Sequence, residues 1–295
     1  MMSRQLREGL FAVAGLLTML VALFALGALL AGLAMDGWDR LSWRFFASYP
    51  SRFPEQAGIL AAWVGTVLVM VVTAFAAVPL GLAAAVYLEE YAPTHWLTDL
   101  IDINVANLAG VPSIVYGLMA LGLFVYRFGL GHSVLTAGLT LALLILPMVI
   151  IATREAIRSV PDGVREAAYA LGATKWQTVK DHVVPYSMGG ILTGIILALS
   201  RAIGETAPLI TVGALSFIAF LPHPPWQAEF PFVSFQWLLD PFTVLPMQMF
   251  NWVSRPQEEF HRNAAGAGLV LMAMTLAMNA LAIYVRARFR KRIRW

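Results

Sequence analysis

Cysteine is absent from the 295 residues, which excludes disulfides, thiol catalysis and cysteine-held metal or iron–sulfur centres. Charge is also scarce: Asp, Glu, Lys and Arg make up 13 %, against about 25 % in an ordinary soluble domain. The 20 basic and 17 acidic residues leave a formal charge of +3 with no polybasic face, which argues against nucleic-acid binding. Lysine occurs only at Lys175, Lys180 and Lys291, and none follows a glycine. A G-x-x-x-x-G-K-[ST] loop is therefore missing, and the chain cannot bind ATP in that mode. The five histidines (His95, His132, His182, His223, His261) fall in no metal-ligand spacing, so neither a metal nor a cofactor is expected.

What remains is apolar. Hydrophobic residues make up 59 % of the chain, more than a water-soluble fold can bury. Runs free of charge mark spans at residues 9–35, 56–88, 103–126, 128–153, 182–200 and 263–285, each near the ~20 residues a bilayer requires. A further run at 206–228 is cut short by Pro222, Pro224 and Pro225. It reads either as the end of one long helix, about 189–220, or as the second arm of a hairpin. Arginine and lysine collect on the cytoplasmic side of membranes. Six spans put the basic tail from Arg286, the 154–180 stretch and the N-terminal Arg4 and Arg7 all inside, whereas seven would put the tail outside. The expectation is an all-α, multi-pass protein of six transmembrane helices with both termini cytoplasmic. The first apolar run exceeds the 7–15 residues of a signal-peptide core and is read as retained. Residues 1–57 form a first helix and outer loop, 58–290 a transmembrane core with an inner loop at 157–187, and 291–295 a tail. The outer segment at about 221–264 is rich in aromatics, among them Trp226, Phe230, Phe232, Phe235, Trp237, Phe242, Phe250 and Trp252. It suits an interfacial belt or a docking surface.

The inner loop has a helix–stop–helix grammar. Pro161 and Asp162 suit a helix start, and Val164, Ala168 and Leu171 recur on one face. Gly172 suits the left-handed residue that ends a helix. Thr174 with Gln177 makes a capping box for a second helix, on which Trp176, Val179 and Val183 share a face. Spacing alone permits either an ordinary hairpin or a rigid knob. The series Glu166-Ala167-Ala168, then Gly172, then Pro185 resembles the EAA loop of binding-protein-dependent ABC importer permeases, with His182 and Val184 where Ile and Leu are usual. The resemblance implies that Glu166, Ala167, Ala168, Leu171, Gly172, Ala173 and Trp176 seat in a cleft of a separate cytoplasmic ATPase.

Other segments resemble the phosphate branch of these permeases, the PstA type. They are Leu80 to Tyr91, Gly110 to Leu118, Arg201 to Leu209, Thr243 to Pro246 and Phe250 to Pro256. The resemblance implies a transport subunit rather than an enzyme, in a bacterial inner membrane. It implies a PstC-like second permease, a PstB-like ATPase dimer and a PstS-like external phosphate-binding protein as partners.

Arg201 and Glu205 are charges inside an apolar run. Counted about 12 residues into the long helix that would begin near residue 189, Arg201 lies roughly 18 Å deep, near mid-membrane, and i,i+4 spacing lets the pair bond along one helix face. Each buried charge costs about 2.5–3.5 kcal/mol on insertion scales. The pair reads either as a structural ion pair or as a charged step in a translocation path, with Thr206, Ser113 and Asn107 as further path candidates. Gly204 and Pro208, and likewise Asn107, Gly110 and Pro112, mark weak points in their helices. The acidic inner loop with Glu89, Glu90, Asp99 and Asp102 reads as a solvated surface or a subunit contact. A gradient-driven carrier or channel is the rival class, an intramembrane enzyme a poorer one, and sulfate or molybdate the rival substrate.

Overall fold

Long apolar runs become long helices because hydrocarbon offers no partner to a backbone N–H or C=O outside its own segment. The computed structural model describes residues 4–226 and 232–292; Phe230 and the tail end 293–295 lie outside the described residues. Twelve helices are present among them, with one isolated β-bridge between Trp226 and Val233 and no strand. Five segments are long and apolar enough to cross a bilayer singly. They are α1 (Arg4–Gly37), α3 (Leu60–Val86, continued by a π turn), α6 (Val134–Arg158), the α8–α9 run (Lys175–Thr178 and Val184–Ile203) and α12 (Glu258–Arg292). A sixth apolar segment is bent, in the form of either a broken span or a re-entrant loop: α4 (Trp96–Ala109) and α5 (Ser113–Ala120, continued as a π helix to Arg127) meet at 106°.

That break differs from the straight span expected at 103–126. Helix α4 starts at Trp96, in the expected inner loop, with the His95 ring accepting from the Leu97 N–H at 3.3 Å. Pro112 then removes a backbone donor and pushes Val111 out of helical conformation. At the break the Leu108 carbonyl accepts from the Val111 N–H at 3.1 Å and from the Tyr116 hydroxyl at 2.7 Å.

Helices α3, α6 and α9 form the centre, where Val69, Leu141, Ile145, Ala198 and Ala202 are buried together. Polar groups are satisfied inside it. Thr73 donates to its own Val69 carbonyl and lies 3.2 Å from the Gly138 carbonyl of α6. Ser200 of α9 donates to Asn279 of α12 at 2.6 Å.

The segments between spans build a cap. Phe45 of α2 (Trp43–Ala47), Trp252 of α11 (Leu245–Val253) and Phe260 of α12 are buried at stacking distances of 6.1 and 6.5 Å. The aromatic segment is thus neither a uniform belt nor a single docking face. Trp237, Phe242 and Trp252 are core, while Trp226, Phe232, Phe235 and Phe250 are exposed. Helix α1 stands apart. From Glu8 to Gly32 all its side chains are exposed. Contact is confined to its last turns, where Leu33 meets Gly268 and Gly37 lies against the backbone of Ala265 and Gly266.

Candidate functional site: a charged helix break and an exposed elbow

Helix α9 stops at Ile203, so the continuous helix to about residue 220 does not form. Pro208 is the cause, since a helix through it would lose a bond and clash with the carbonyl of Gly204. The chain instead restarts as the short α10 (Ala207–Thr211), with Thr206 as the residue before its first turn. Arg201 therefore sits in the last turn of α9, roughly 26 Å along the axis from Val184. The length exceeds the one counted from the sequence because α9 begins at Val184 rather than near residue 189.

Glu205 lies beyond the helix end, yet the pair forms: Arg201 Nε to Glu205 Oε1 is 3.2 Å. The guanidinium also approaches Met148 Sδ at 3.4 Å and is 37 % exposed, so the cation is held loosely and open to one side. It lies close enough to interact electrostatically with Tyr116, in the first turn of α5. A helix start carries partial positive charge. The start of α5, opened by Ser113, and the Arg201 guanidinium are thus each a positive feature at a helix break.

Packing of α10 on α5 holds this arrangement. A Cβ at Gly117 would collide with the Thr211 hydroxyl and lie 2.7 Å from Pro208 Cα, so only glycine lets the two helices touch here. Arg201 and Glu205 pair, Thr206 follows Glu205 in the chain, and Ser113 opens α5. Asn107 is exposed on the far arm of the break. Among the described residues, no hydrogen bond or ion pair joins Asn107 or Ser113 to Arg201.

The inner loop follows its sequence grammar closely. Helix α7 spans Asp162–Ala170, and Gly172 has φ +83°, the left-handed value that lets the chain turn. Thr174 accepts from the Gln177 N–H while the Gln177 side chain accepts from the Thr174 N–H, closing the capping box. The faces differ from expectation. Ala168, Val179 and Val183 are buried, whereas Glu166, Ala167, Gly172 and Trp176 are exposed and Leu171 is 89 % exposed. The elbow presents a bare leucine flanked by small residues, the form of a knob without its socket.

One feature escaped the sequence reading. Three of the acidic inner residues, Glu89, Glu90 and Asp102, are the partners of the inner arginines, while Asp99 is exposed. Arg154 bridges Asp102 through two bonds, one of 2.7 Å, and reaches Glu89 at 3.1 Å. Arg158 also binds Glu89, at 2.8 Å. Arg165 of α7 binds Glu90 at 2.8 Å and donates to the carbonyls of Val160 and Ile157. The ends of α3, α4 and α6 are thereby tied to one another and to the elbow. The available signal was complementarity: an inner loop with only acids opposite an inner loop rich in arginine.

A family model described as "Binding-protein-dependent transport system inner membrane component" matches residues 77–295. The chain belongs to that family. It is therefore a multi-pass membrane transport component rather than an enzyme, of a kind that works with partner permeases and an ATPase. This permease is 35 % identical over 271 residues to the phosphate transport system permease protein PstA 1 of Mycobacterium tuberculosis (strain CDC 1551 / Oshkosh), covering 90 % of this chain and 84 % of the relative. It is 33 % identical to PstA of Yersinia pestis, over 97 % and 92 % of the two chains. PstC of Haemophilus influenzae matches at 32 % over 71 % of this chain and 76 % of the relative. Among solved structures, the permease fold resembles the inward-facing MetNI methionine ABC transporter. The TM-score is 0.59 at 15 % identity, over 78 % of this chain and 95 % of that one. A second neighbour, an amino acid ABC transporter, has TM-score 0.55 at 18 % identity, over 78 % and 93 %.

Proposed function

We propose that this permease is the PstA-type membrane subunit of an ATP-driven importer of inorganic phosphate. It lines the path together with a PstC-like permease, receives phosphate from a PstS-like external binding protein and is driven by a PstB-like ATPase dimer. The observation that carries the reading is a half-exposed guanidinium, paired to Glu205 beside the start of a half-helix, in a chain whose relatives are phosphate permeases. A planar guanidinium can bind two oxyanion oxygens at once, and broken membrane helices direct their N-termini at anionic substrates. Glu205 holds Arg201 between transport events and competes with the anion for it. When phosphate arrives, Arg201 exchanges one carboxylate for two phosphate oxygens and then returns, so the anion is released rather than trapped.

The elbow seats in the ATPase through its exposed tip at Leu171 and Gly172, with Leu171 as its anchor, and both chain termini face the cytoplasm. ATP drives transport insofar as its binding favours one membrane state over the other. The network of Arg154, Arg158 and Arg165 carries the elbow's displacement into α3, α4 and α6.

The test is uptake of labelled phosphate into vesicles containing all four components, with ATP supplied at the ATPase face and sulfate as competitor. Uptake should require ATP and resist sulfate. Arg201→Ala should lower it at least tenfold, and Arg201→Lys should restore only part, because a point charge lacks the fork. Loss of uptake in Glu205→Gln with full uptake in Arg201→Ala would overturn the assignment. Uptake without ATP would make the protein a carrier, and suppression by sulfate would change its substrate.

A further inference from the structure

Beside the elbow, the structure holds an apolar groove of about 500 Å³. Leu82, Ala83 and Val86 of α3 form one wall, and Trp176 and Val179 of the α8–α9 run form the other, with Lys180 at the edge. Its lining is almost wholly hydrocarbon, but its mouth is not. Tyr87 and Tyr91 stand at the end of the α3 span with Trp176 opposite, and all three are exposed. Tyrosine and tryptophan in that position mark the level of lipid headgroups. Lys175 Nζ stands 5.2 Å from the Tyr91 ring centroid, so a second cation overhangs the same mouth. Neither lysine has a carboxylate partner among the described residues. The nearby acids Glu89, Glu90 and Asp102 are engaged by Arg154, Arg158 and Arg165, and Asp181, next to Lys180 in the chain, is exposed and forms no ion pair with either lysine.

We infer that this groove is a binding site for one anionic phospholipid of the cytoplasmic leaflet. An acyl chain lies between α3 and α8, and the headgroup phosphate is held by Lys175 and Lys180. The occupant follows from charge and depth together. Two unneutralised cations at the headgroup level select an anion, and the dry slot below them selects a chain that only a lipid brings. The bound lipid wedges the wall that carries Trp176, four residues after Gly172 at the turn of the elbow. The site would thus set how firmly the coupling elbow is braced against α3. This rests on the inward orientation proposed above, but the experiment reads lipid binding and not transport, so the two fail separately.

The assembled transporter is stripped of bound lipid and titrated with phosphatidylglycerol, or with phosphatidylcholine of the same chain length, in native mass spectrometry. The wild type should take up phosphatidylglycerol in preference to phosphatidylcholine. Combined Lys175→Gln and Lys180→Gln should weaken that preference by about fivefold for each lysine. Ala83→Trp, which leaves both lysines in place but fills the slot, should remove the tightest site; a site for free phosphate would be untouched by it. Both side chains are exposed and the alanine faces outward, so neither variant threatens folding. Equal uptake of the two lipids, or unchanged phosphatidylglycerol binding in both variants, would overturn the inference. So would a lysine variant that sheds the ATPase while keeping its lipid, since the groove would then be a protein contact.

Discussion

Two glycines carry more of the design than their size suggests. Gly172 has φ +83°, where a β-branched side chain meets its own backbone at a cost of roughly 1–2 kcal/mol. Gly172→Val should leave the subunit in the membrane but uncouple it, which ATP hydrolysis measured against phosphate uptake in the same vesicles would register. Normal uptake would remove the elbow from the coupling path. Gly117→Val should force α10 off α5, because its methyls would meet Thr211 and Pro208. The expected result is loss of uptake with an intact ATPase rate. Gly172 was legible in the sequence because a C-terminal glycine before a capping box is a local pattern. Gly117 was not, because its neighbours lie about ninety positions away and only the two helix breaks bring them close. The same holds for Arg201 and Glu205. Their pairing followed from spacing, but the end of the helix between them was read as loosening rather than as a stop.

Between elements, the inner ion pairs decide what moves together. Glu90 is 7 % exposed and Arg165 17 %, so removing one partner leaves a nearly buried charge and costs about 3 kcal/mol or more. Glu90→Ala and Arg165→Ala should each lower the melting temperature of the detergent-solubilised subunit. Arg165→Ala should also relax α7, since two backbone carbonyls lose their donor. The double variant should be less damaged than the two single losses added together, which a thermal double-mutant cycle would quantify. Additive losses would show that the pair is not one unit. Sequence reading located every member of this network yet not the network. Charge runs specify sign, whereas pairing is set by where α3, α4 and α6 end, and α4 begins seven residues before the expected span.

For the molecule as a whole, the hydrophobic pattern was enough to fix the class and to locate the apolar helices, because the bilayer admits so few alternatives. Boundaries were less legible wherever a proline sat inside an apolar run: at Pro112 it broke a span, at Pro79 and Pro147 it did not. Neighbouring helices supply the difference, and no local window contains them. Orientation can be tested directly, because the natural chain lacks cysteine. Single cysteines placed at Ser159 and at Ser254 should react with a membrane-impermeant maleimide from opposite sides, the first only after the inner face is opened. Labelling of both from one side would invert or break the six-crossing order.

Helix α1 meets the rest of the subunit only near Leu33 and Gly37, and this leaves a mark on heredity. Wherever lipid alone faces that length, natural selection can weigh greasiness and reach but not spelling, so leucine, valine and alanine are free to trade places across generations. Only the closing turns are under the scrutiny of a fitted joint. Lineages of this subunit should therefore diverge fastest at one end of the chain while transporting the same anion.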